Sequence, residues 1–377
     1  MMISTLLETG FETRVAITPN SSKQLIKQGF EVSIEKNAGK AAGFSDKHYE
    51  DVGVTIISDK ATLLKNTNIL LFVNEPNPEH LENLAKNAVL IGHCDNEPQS
   101  PLIKWCLDNS ISLFSMNLSP RISRAQNMDS LSSQANLAGY RAVLEGVCNF
   151  NRAIPMMMTA AGMIQPAKIL ILGAGVAGLQ AIATAKRLGA VVYAFDVRRA
   201  AKEQTESLGA EFIEVAQEQD LEASGGYASE MSEEYKKLQA ELIDQYAKIS
   251  DIVISTALIP GRKAPILLHK HTVDNMKPGS VIVDLATSRG GNCELSVRDE
   301  TITYKDITII GLSNLACLVP ATASDLYANN LVHLLTLLAA QPPEISFNPD
   351  DEIIQQALLC HETRYMPFQA ILEQKNA

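Results

Sequence analysis

The sequence predicts an α/β protein of two doubly wound, parallel-sheet domains joined by long helices. Three observations predict it. Short apolar runs alternate with helix-like segments over residues 1–140. A strand–turn–helix–strand unit carrying G-x-G-x-x-G fills 167–198. Long helical patterns lie at 137–147 and 321–340. Such alternation implies parallel strands with crossover helices. The expected division is a discontinuous N-terminal domain, 1–135 plus 330–377, and a fingerprint-bearing domain, 136–329.

In the first half the strand candidates are 15–17, 32–34, 69–72, 89–91 and 111–114. Helix-like segments such as 21–28 and 79–87 separate them. This half has no glycine fingerprint, so the main nucleotide site is expected elsewhere. Arg14 stands just before the first candidate strand. It reads as a surface arginine or as a carboxylate clamp at a strand end.

Residues 119–147 follow. The first part is dense in hydrogen-bonding groups: Arg121, Arg124, Gln126, Asp129, Ser132, Ser133 and Gln134. Amide, guanidinium and carboxylate groups together suit a nicotinamide carboxamide and its ribose, or a hydrogen-bonded structural linker. The second part becomes a helix with Leu137, Tyr140, Val143, Leu144 and Val147 on one apolar face. Met156, Met157 and Met158 come next. Adaptable thioethers suit a domain junction, a subunit contact or core filling.

The fingerprint unit opens on an apolar run, 169–172. Gly173, Val176, Ala177 and Gly178 belong to its turn, with Gly175 between. The first glycine allows the sharp turn, the second lets backbone approach a pyrophosphate, and the third lets helix pack on strand. The pyrophosphate would meet free N–H groups at the positive end of the helix. A second run, 190–195, ends at Asp196, followed by Val197 and Arg198. An acid at that place accepts hydrogen bonds from a ribose 2′-hydroxyl and favours NAD over NADP. Arg198 and Arg199 pull the other way, or are solvated loop charges. This half is expected to be a Rossmann-like dinucleotide domain, with a βαβ unit that holds no nucleotide as the alternative.

Beyond it, 214–246 is charged and reads as solvated helix, with Gly225-Gly226 as a candidate hinge for a Tyr227 lid. Strands are expected within 250–260, 277–286 and 307–311. Ligands of doubly wound sheets sit at the carboxyl ends of strands. That places Thr256, Ala257, Leu258, Asp284, Leu285, Ala286 and Asn314 around the nucleotide. Residues 321–340 form a long apolar helix, and 352–359 a last helix.

Composition narrows the partners. The net charge of −11 argues against nucleic acid or an anionic membrane surface. No apolar run reaches the ~18 residues of a membrane span, and no signal peptide is expected. The six cysteines show no C-x-x-C or zinc-like spacing and read as reduced thiols of a cytoplasmic protein. His269 and His271 read as a surface pair, with no metal expected.

The order of motifs resembles the alanine dehydrogenase and NAD(P) transhydrogenase superfamily. The likeness is closest to the soluble NAD(H)-binding component of proton-translocating transhydrogenase. It runs from ETRVAITP to the tail. PRISRAQNMDSLSSQANLAGYRAV, PMMMTAAG, GAGVAGLQAIATAKRLGAVV, and STALIPG with KPGSVIVDLA and GGNC carry it. The resemblance implies that Arg121, Gln126, Asp129 and Ser132 surround the nicotinamide end of NAD(H). It makes Tyr227 the tyrosine of a mobile loop and Asp196 the ribose-binding acid. It also implies a homodimer, held at the cytoplasmic face of the inner membrane by membrane subunits. One of those partners would bind NADP(H) and accept hydride directly.

Departures separate the branches of that superfamily. Alanine dehydrogenases carry a lysine in K-E-P, where this chain has Asn74. They carry an aspartate before Gly-Gly, where it has Ser288. His93 lies near their catalytic histidine. Ser288-Arg289 and LACLVP depart from transhydrogenases too. A free-standing alanine-type dehydrogenase and a non-catalytic NAD-binding regulatory protein remain the alternatives.

Overall fold

A computed structural model of the chain describes residues 1–215, 222–223, 227–228, 233–259, 262–339 and 343–366. It divides into two compact units, Met1–Gln134 with Cys317–Ala377, and Ala135–Ala316. The chain returns to the first unit well before the expected 330. The reason is the helix Pro320–Leu338, which buries Tyr327, Leu331, Leu334, Leu335 and Leu338 in that unit's core.

The first unit is organised on an eight-stranded sheet among the described residues. Its order is Arg364–Tyr365, Leu358–His361, Ser112–Ser115, Val89–Gly92, Ile69–Leu71, Met2–Thr5, Glu31–Glu35, Thr55–Ile57. Pairing is parallel except for the two C-terminal strands, which add antiparallel at one edge.

Several expectations are corrected here. The run 15–17 is not a strand. Val15 N–H donates to the Ser324 hydroxyl at 3.0 Å instead of joining a ladder, and Thr18 then caps the helix Pro19–Lys27. The first strand is Met2–Thr5. Its Ser4 and Thr5 are wholly buried, and Thr67 Oγ1 donates to Ser4 Oγ at 2.9 Å. The segment 79–87 makes only a single tight turn, Pro78–Leu81. The last helix stops at Ala357, and Leu358–His361 becomes strand.

The second unit holds a seven-stranded sheet among the described residues. The order is Glu211–Phe212, Val191–Phe195, Lys168–Leu172, Ile252–Ser255, Val281–Asp284, Ile307–Ile310, Thr301–Tyr304, with only the last strand antiparallel. The chain reverses its direction of travel across the sheet between Lys168–Leu172 and Ile252–Ser255. Ligands of such sheets bind at that switch point. Successive side chains face opposite layers. Ile169, Ile171, Ile252 and Ile254 enter one core with Ala142, Val143 and Ile182. Leu170, Leu172 and Val253 enter the other with Ile243 and Ala247. Both faces are covered, so the strands read as unbroken apolar runs.

Two more expectations change. The helix Ser130–Asn149 buries Gly139, Ala142, Val143 and Gly146, whereas Tyr140 is exposed. Small residues let the backbone come close: a Cβ on Gly139 would lie 2.0 Å from the Ala177 carbonyl oxygen. The methionine run is not core filling. Met157–Thr159 and Gly162–Ile164 form an antiparallel hairpin on which Met156, Met158 and Met163 are exposed.

Among the described residues, no helix is long and apolar enough to cross a membrane. The six cysteines are free, and only Cys148 is exposed.

Candidate functional site

The glycine turn ends the strand Lys168–Leu172 and opens the helix Val176–Arg187. Gly173 has φ +98°, and a Cβ there would meet Thr256 Oγ1 at 2.7 Å. Thr256 Oγ1 donates to the Gly173 carbonyl at 3.0 Å, tying the turn to the neighbouring strand end. A Cβ on Gly178 would sit 1.8 Å from the Gly173 oxygen, so helix and strand could not both stay in place. Gly175 is the N-cap residue, and no side chain caps the helix. The orphan N–H groups of the first turn thus lack an intrahelical side-chain acceptor. Added atoms at Gly175 would meet nothing nearer than Arg198 Nη2, at 3.9 Å. Open donors, a positive helix end and room for close approach fit a pyrophosphate. Val176 is exposed at the helix start, and Ala177 is partly buried.

Asp196 ends the adjacent strand, Val191–Phe195, but its carboxylate is not open. Oδ2 accepts from Ala174 N–H at 2.7 Å and from Arg198 Nη2 at 2.8 Å. Oδ1 accepts from Arg198 N–H and Nε, both at 2.9 Å. The expected ribose acceptor is therefore paired within its own loop, and Arg198 is no solvated loop charge. Val197 packs against the core beneath.

The other strand ends differ in what they offer. Leu258 is exposed, Thr256 and Ala257 are partly so, and Asn314 is exposed. Asp284 is a correction. Its side chain is wholly buried and accepts from the N–H groups of Ala286 at 3.0 Å, Asn292 at 2.8 Å and Cys293 at 2.9 Å. It fixes the following loop from inside and presents no carboxylate to a ligand. Ala286 is likewise buried, and Leu285 N–H donates to the Ser255 carbonyl at 2.9 Å.

Asn292 is the residue that sequence reasoning missed. Buried completely, it accepts from Ala257 N–H at 3.0 Å and donates to the Ala257 and Pro265 carbonyls, each at 2.8 Å. Only its place in GGNC marks it in the sequence.

In the first unit, Arg121, Gln126, Asp129 and Ser132 line one pocket together with Pro120, Ile122 and Ser123. The structure thus brings together the four polar residues singled out from the sequence. Asp129 also caps the helix Ser130–Asn149: its carboxylate accepts from Ser132 N–H at 2.9 Å and Ser132 Oγ at 2.6 Å, an N-cap arrangement. Arg124 turns away and pairs with Asp351.

Arg14 belongs to a second cluster of the same unit and is not an open clamp. Its Nε and Nη2 donate to Glu12 at 2.8 and 2.7 Å, and Nη1 donates to Gln134 at 2.8 Å. Asn74 Nδ2 adds a further bond to Glu12, at 2.8 Å. Burial works to raise the Glu12 pKa, but the Arg14 hydrogen bonds and charge outweigh it and hold the carboxyl at about 2. Glu8, which accepts from Val73 N–H at 2.6 Å, is pushed up to about 7 by burial. His93 lies 2.8 Å from Ser130 Oγ. Burial, then the Arg14 charge, bring it down to about 3, so it is neutral near pH 7.

The backbone of Tyr227–Ala228 pairs antiparallel with Glu222–Ala223. The Gly225-Gly226 hinge and the Pro260-Gly261 turn lie outside the described residues. His269 occupies the N-cap position of the short helix Lys270–Asp274 without a side-chain cap bond, and His271 Nε2 lies 2.9 Å from Asp244. Ser288 is exposed.

Switch point, glycine turn and uncapped helix together define a dinucleotide-binding α/β protein. Comparison with known proteins narrows this. The chain matches the family models "Alanine dehydrogenase/PNT, N-terminal domain" over residues 7–138 and "Alanine dehydrogenase/PNT, C-terminal domain" over residues 142–367. It is 45% identical over 361 residues to the first part of NAD(P) transhydrogenase subunit alpha of Rickettsia prowazekii, covering 95% of this chain and 94% of that one. It is 48% identical over 332 residues to the protein of the same name from Rhodospirillum rubrum, with 86% of each covered. The solved structure of transhydrogenase from Sinorhizobium meliloti is 40% identical and superposes with a TM-score of 0.85, over 97% of this chain and 99% of that one. The chain belongs to the alanine dehydrogenase/PNT family.

Proposed function

We propose that this chain is the NAD(H)-binding component of a proton-translocating NAD(P) transhydrogenase, passing hydride directly from NADH to NADP⁺ on a partner subunit. The observation that carries this is the match, over 94% and 86% of their own lengths, to two chains named as the first part of NAD(P) transhydrogenase subunit alpha.

The residues present fit such a cofactor. The fingerprint turn and the start of the helix Val176–Arg187 hold the pyrophosphate. Asp196 and Arg198 meet the adenosine ribose. Thr256, Ala257 and Leu258, with Asn314, form the strand-end rim. Arg121, Gln126, Asp129 and Ser132 orient the nicotinamide end. When bound, the cofactor supplies the hydride. The chain supplies position and orientation, and no residue acts as general acid or base.

Proton movement requires membrane subunits, since no described helix is long and apolar enough to span a bilayer. The chain acts at the cytoplasmic face of the inner membrane through those partners. The exposed methionine hairpin supports a homodimer, because adaptable thioethers suit such a contact.

A free-standing alanine-type dehydrogenase is disfavoured by one cluster. The edge of Arg14 that would hold a carboxylate is filled by Glu12, and Asn74 supplies no cation. The test is NADH oxidation with pyruvate and ammonium, without any partner protein. No oxidation is expected. Formation of alanine would overturn the proposal.

A further inference from the structure

The acid that should read the adenosine ribose is already neutralised within its own loop. The Asp196 carboxylate takes four donors, three of them from Arg198. An ionised carboxylate offers about four acceptor sites, so a ribose hydroxyl must compete for one of them. The same guanidinium lies beside the phosphate cradle, 3.9 Å from the position of a Cβ on Gly175. The pair is largely shielded from solvent, with Asp196 6% and Arg198 22% exposed at the side chain.

We infer that Arg198 sets the discrimination between a nucleotide with a free 2′-hydroxyl and one with a 2′-phosphate. Bound to Asp196, it cancels the charge that would repel a 2′-phosphate. It also occupies acceptor sites that a 2′-hydroxyl would use. Both effects narrow the preference for NAD(H). Without the Arg198 side chain, the carboxylate keeps only the backbone N–H groups of Ala174 and of residue 198. It then repels a 2′-phosphate and accepts a 2′-hydroxyl unopposed. Without Asp196, the negative charge that repels a 2′-phosphate is gone, and a guanidinium whose fork of donors matches a phosphate stays beside the site.

This inference rests on the reading of the second unit as the NAD(H) site. The experiment is equilibrium titration of the full chain with NADH and with NADPH, followed by nucleotide fluorescence. Wild type is compared with Arg198→Ala, Arg198→Lys, Asp196→Ala and the double variant. Arg198→Ala should raise the ratio of NADH to NADPH affinity by about tenfold, the scale of one hydrogen bond to a charged group. Arg198→Lys should fall between it and wild type, since a lysine keeps the charge but not the fork. Asp196→Ala should lower the ratio by a similar factor through tighter NADPH binding. The double variant should bind the two nucleotides nearly equally.

Equal weakening of both nucleotides in Arg198→Ala would overturn the inference and assign Arg198 to the shared pyrophosphate. An unchanged ratio would overturn it as well, while leaving the NAD(H) site intact. Wild type that binds neither nucleotide would overturn both readings together.

Discussion

Asn292 holds Ala257 by both ends of its main chain, accepting from its N–H and donating to its carbonyl. Asp284 in turn holds Asn292 by its backbone N–H. A buried acid therefore fixes one loop, and that loop fixes the strand end at Ala257, the proposed rim of the nucleotide site. Asn292→Ala leaves the Ala257 peptide and the Pro265 carbonyl without these partners. Such a loss costs about 2–3 kcal/mol. Thermal unfolding should show the loss of stability, and NADH affinity should fall with it. Unchanged melting and affinity would contradict this relay.

Gly178 offers a sterically defined test. An alanine Cβ would meet backbone atoms, the Gly173 oxygen at 1.8 Å and its carbon at 2.8 Å. Backbone on both sides cannot rotate away. Gly178→Ala should destabilise the chain by about 1–3 kcal/mol and abolish detectable NADH binding. Gly175→Ala, with nothing nearer than 3.9 Å, should fold normally and lose only nucleotide affinity. Loss of stability in Gly175→Ala would show the cradle to be packed rather than open.

The pocket of the first unit should control rate more than affinity. Arg121→Ala is expected to slow hydride transfer at saturating NADH by about 10–100-fold, the scale of lost orientation, with only a small change in NADH affinity. Asp129 has two tasks, so the choice of variant matters. Asp129→Asn keeps an N-cap, whereas Asp129→Ala removes it at about 1 kcal/mol. Both should slow transfer, but only the alanine should lower the melting temperature. Variants that lose affinity yet transfer normally once saturated would contradict this role.

Glu8 gives a pH signature. Its carboxyl titrates at about 7 in the folded chain against an ordinary 4.5, because burial disfavours the charged form. The unfolded chain releases that proton first as pH rises. Glu8 therefore removes stability progressively between 4.5 and about 7, and the loss is complete above that window. Glu8→Gln lacks this ionisation. Its melting temperature should gain on wild type as pH rises from ~5 to ~8, measured by scanning both proteins across that range. A pH-independent difference would show that Glu8 does not titrate there.

The fold was legible where local chemistry dictates it. Gly173, Gly175 and Gly178 mark a turn whose glycines answer to backbone geometry alone, and the runs 169–172 and 252–254 are apolar because both sheet faces are covered. Met2–Thr5 was illegible because a buried strand there carries Ser4 and Thr5, and the Ser4 hydroxyl is satisfied by residues far along the chain. The run 15–17 is as apolar as a strand, yet its first N–H goes to Ser324. Leu358–His361 continues a helical pattern, and only the edge of Ser112–Ser115 turns it into strand.

The site divides in the same way. Arg121, Gln126, Asp129 and Ser132 lie within a dozen residues, so their composition advertised them. Tertiary pairing was invisible. Glu12 closing over Arg14, Arg198 closing over Asp196, and the burial of Asp284 all depend on side-chain placement that no spacing encodes. Asn292 acts through Ala257, a partner 35 residues away.

Hydride transfer from NADH to an acetylpyridine analogue of NAD⁺ in the presence of NADP(H) tests the central claim most directly. The reaction is run with and without a purified NADP(H)-binding transhydrogenase component. Transfer is expected only when that component is added, with NADH bound to this chain in both cases. Bound NADH with no transfer in either case would contradict the claim and leave a dinucleotide-binding protein without this activity.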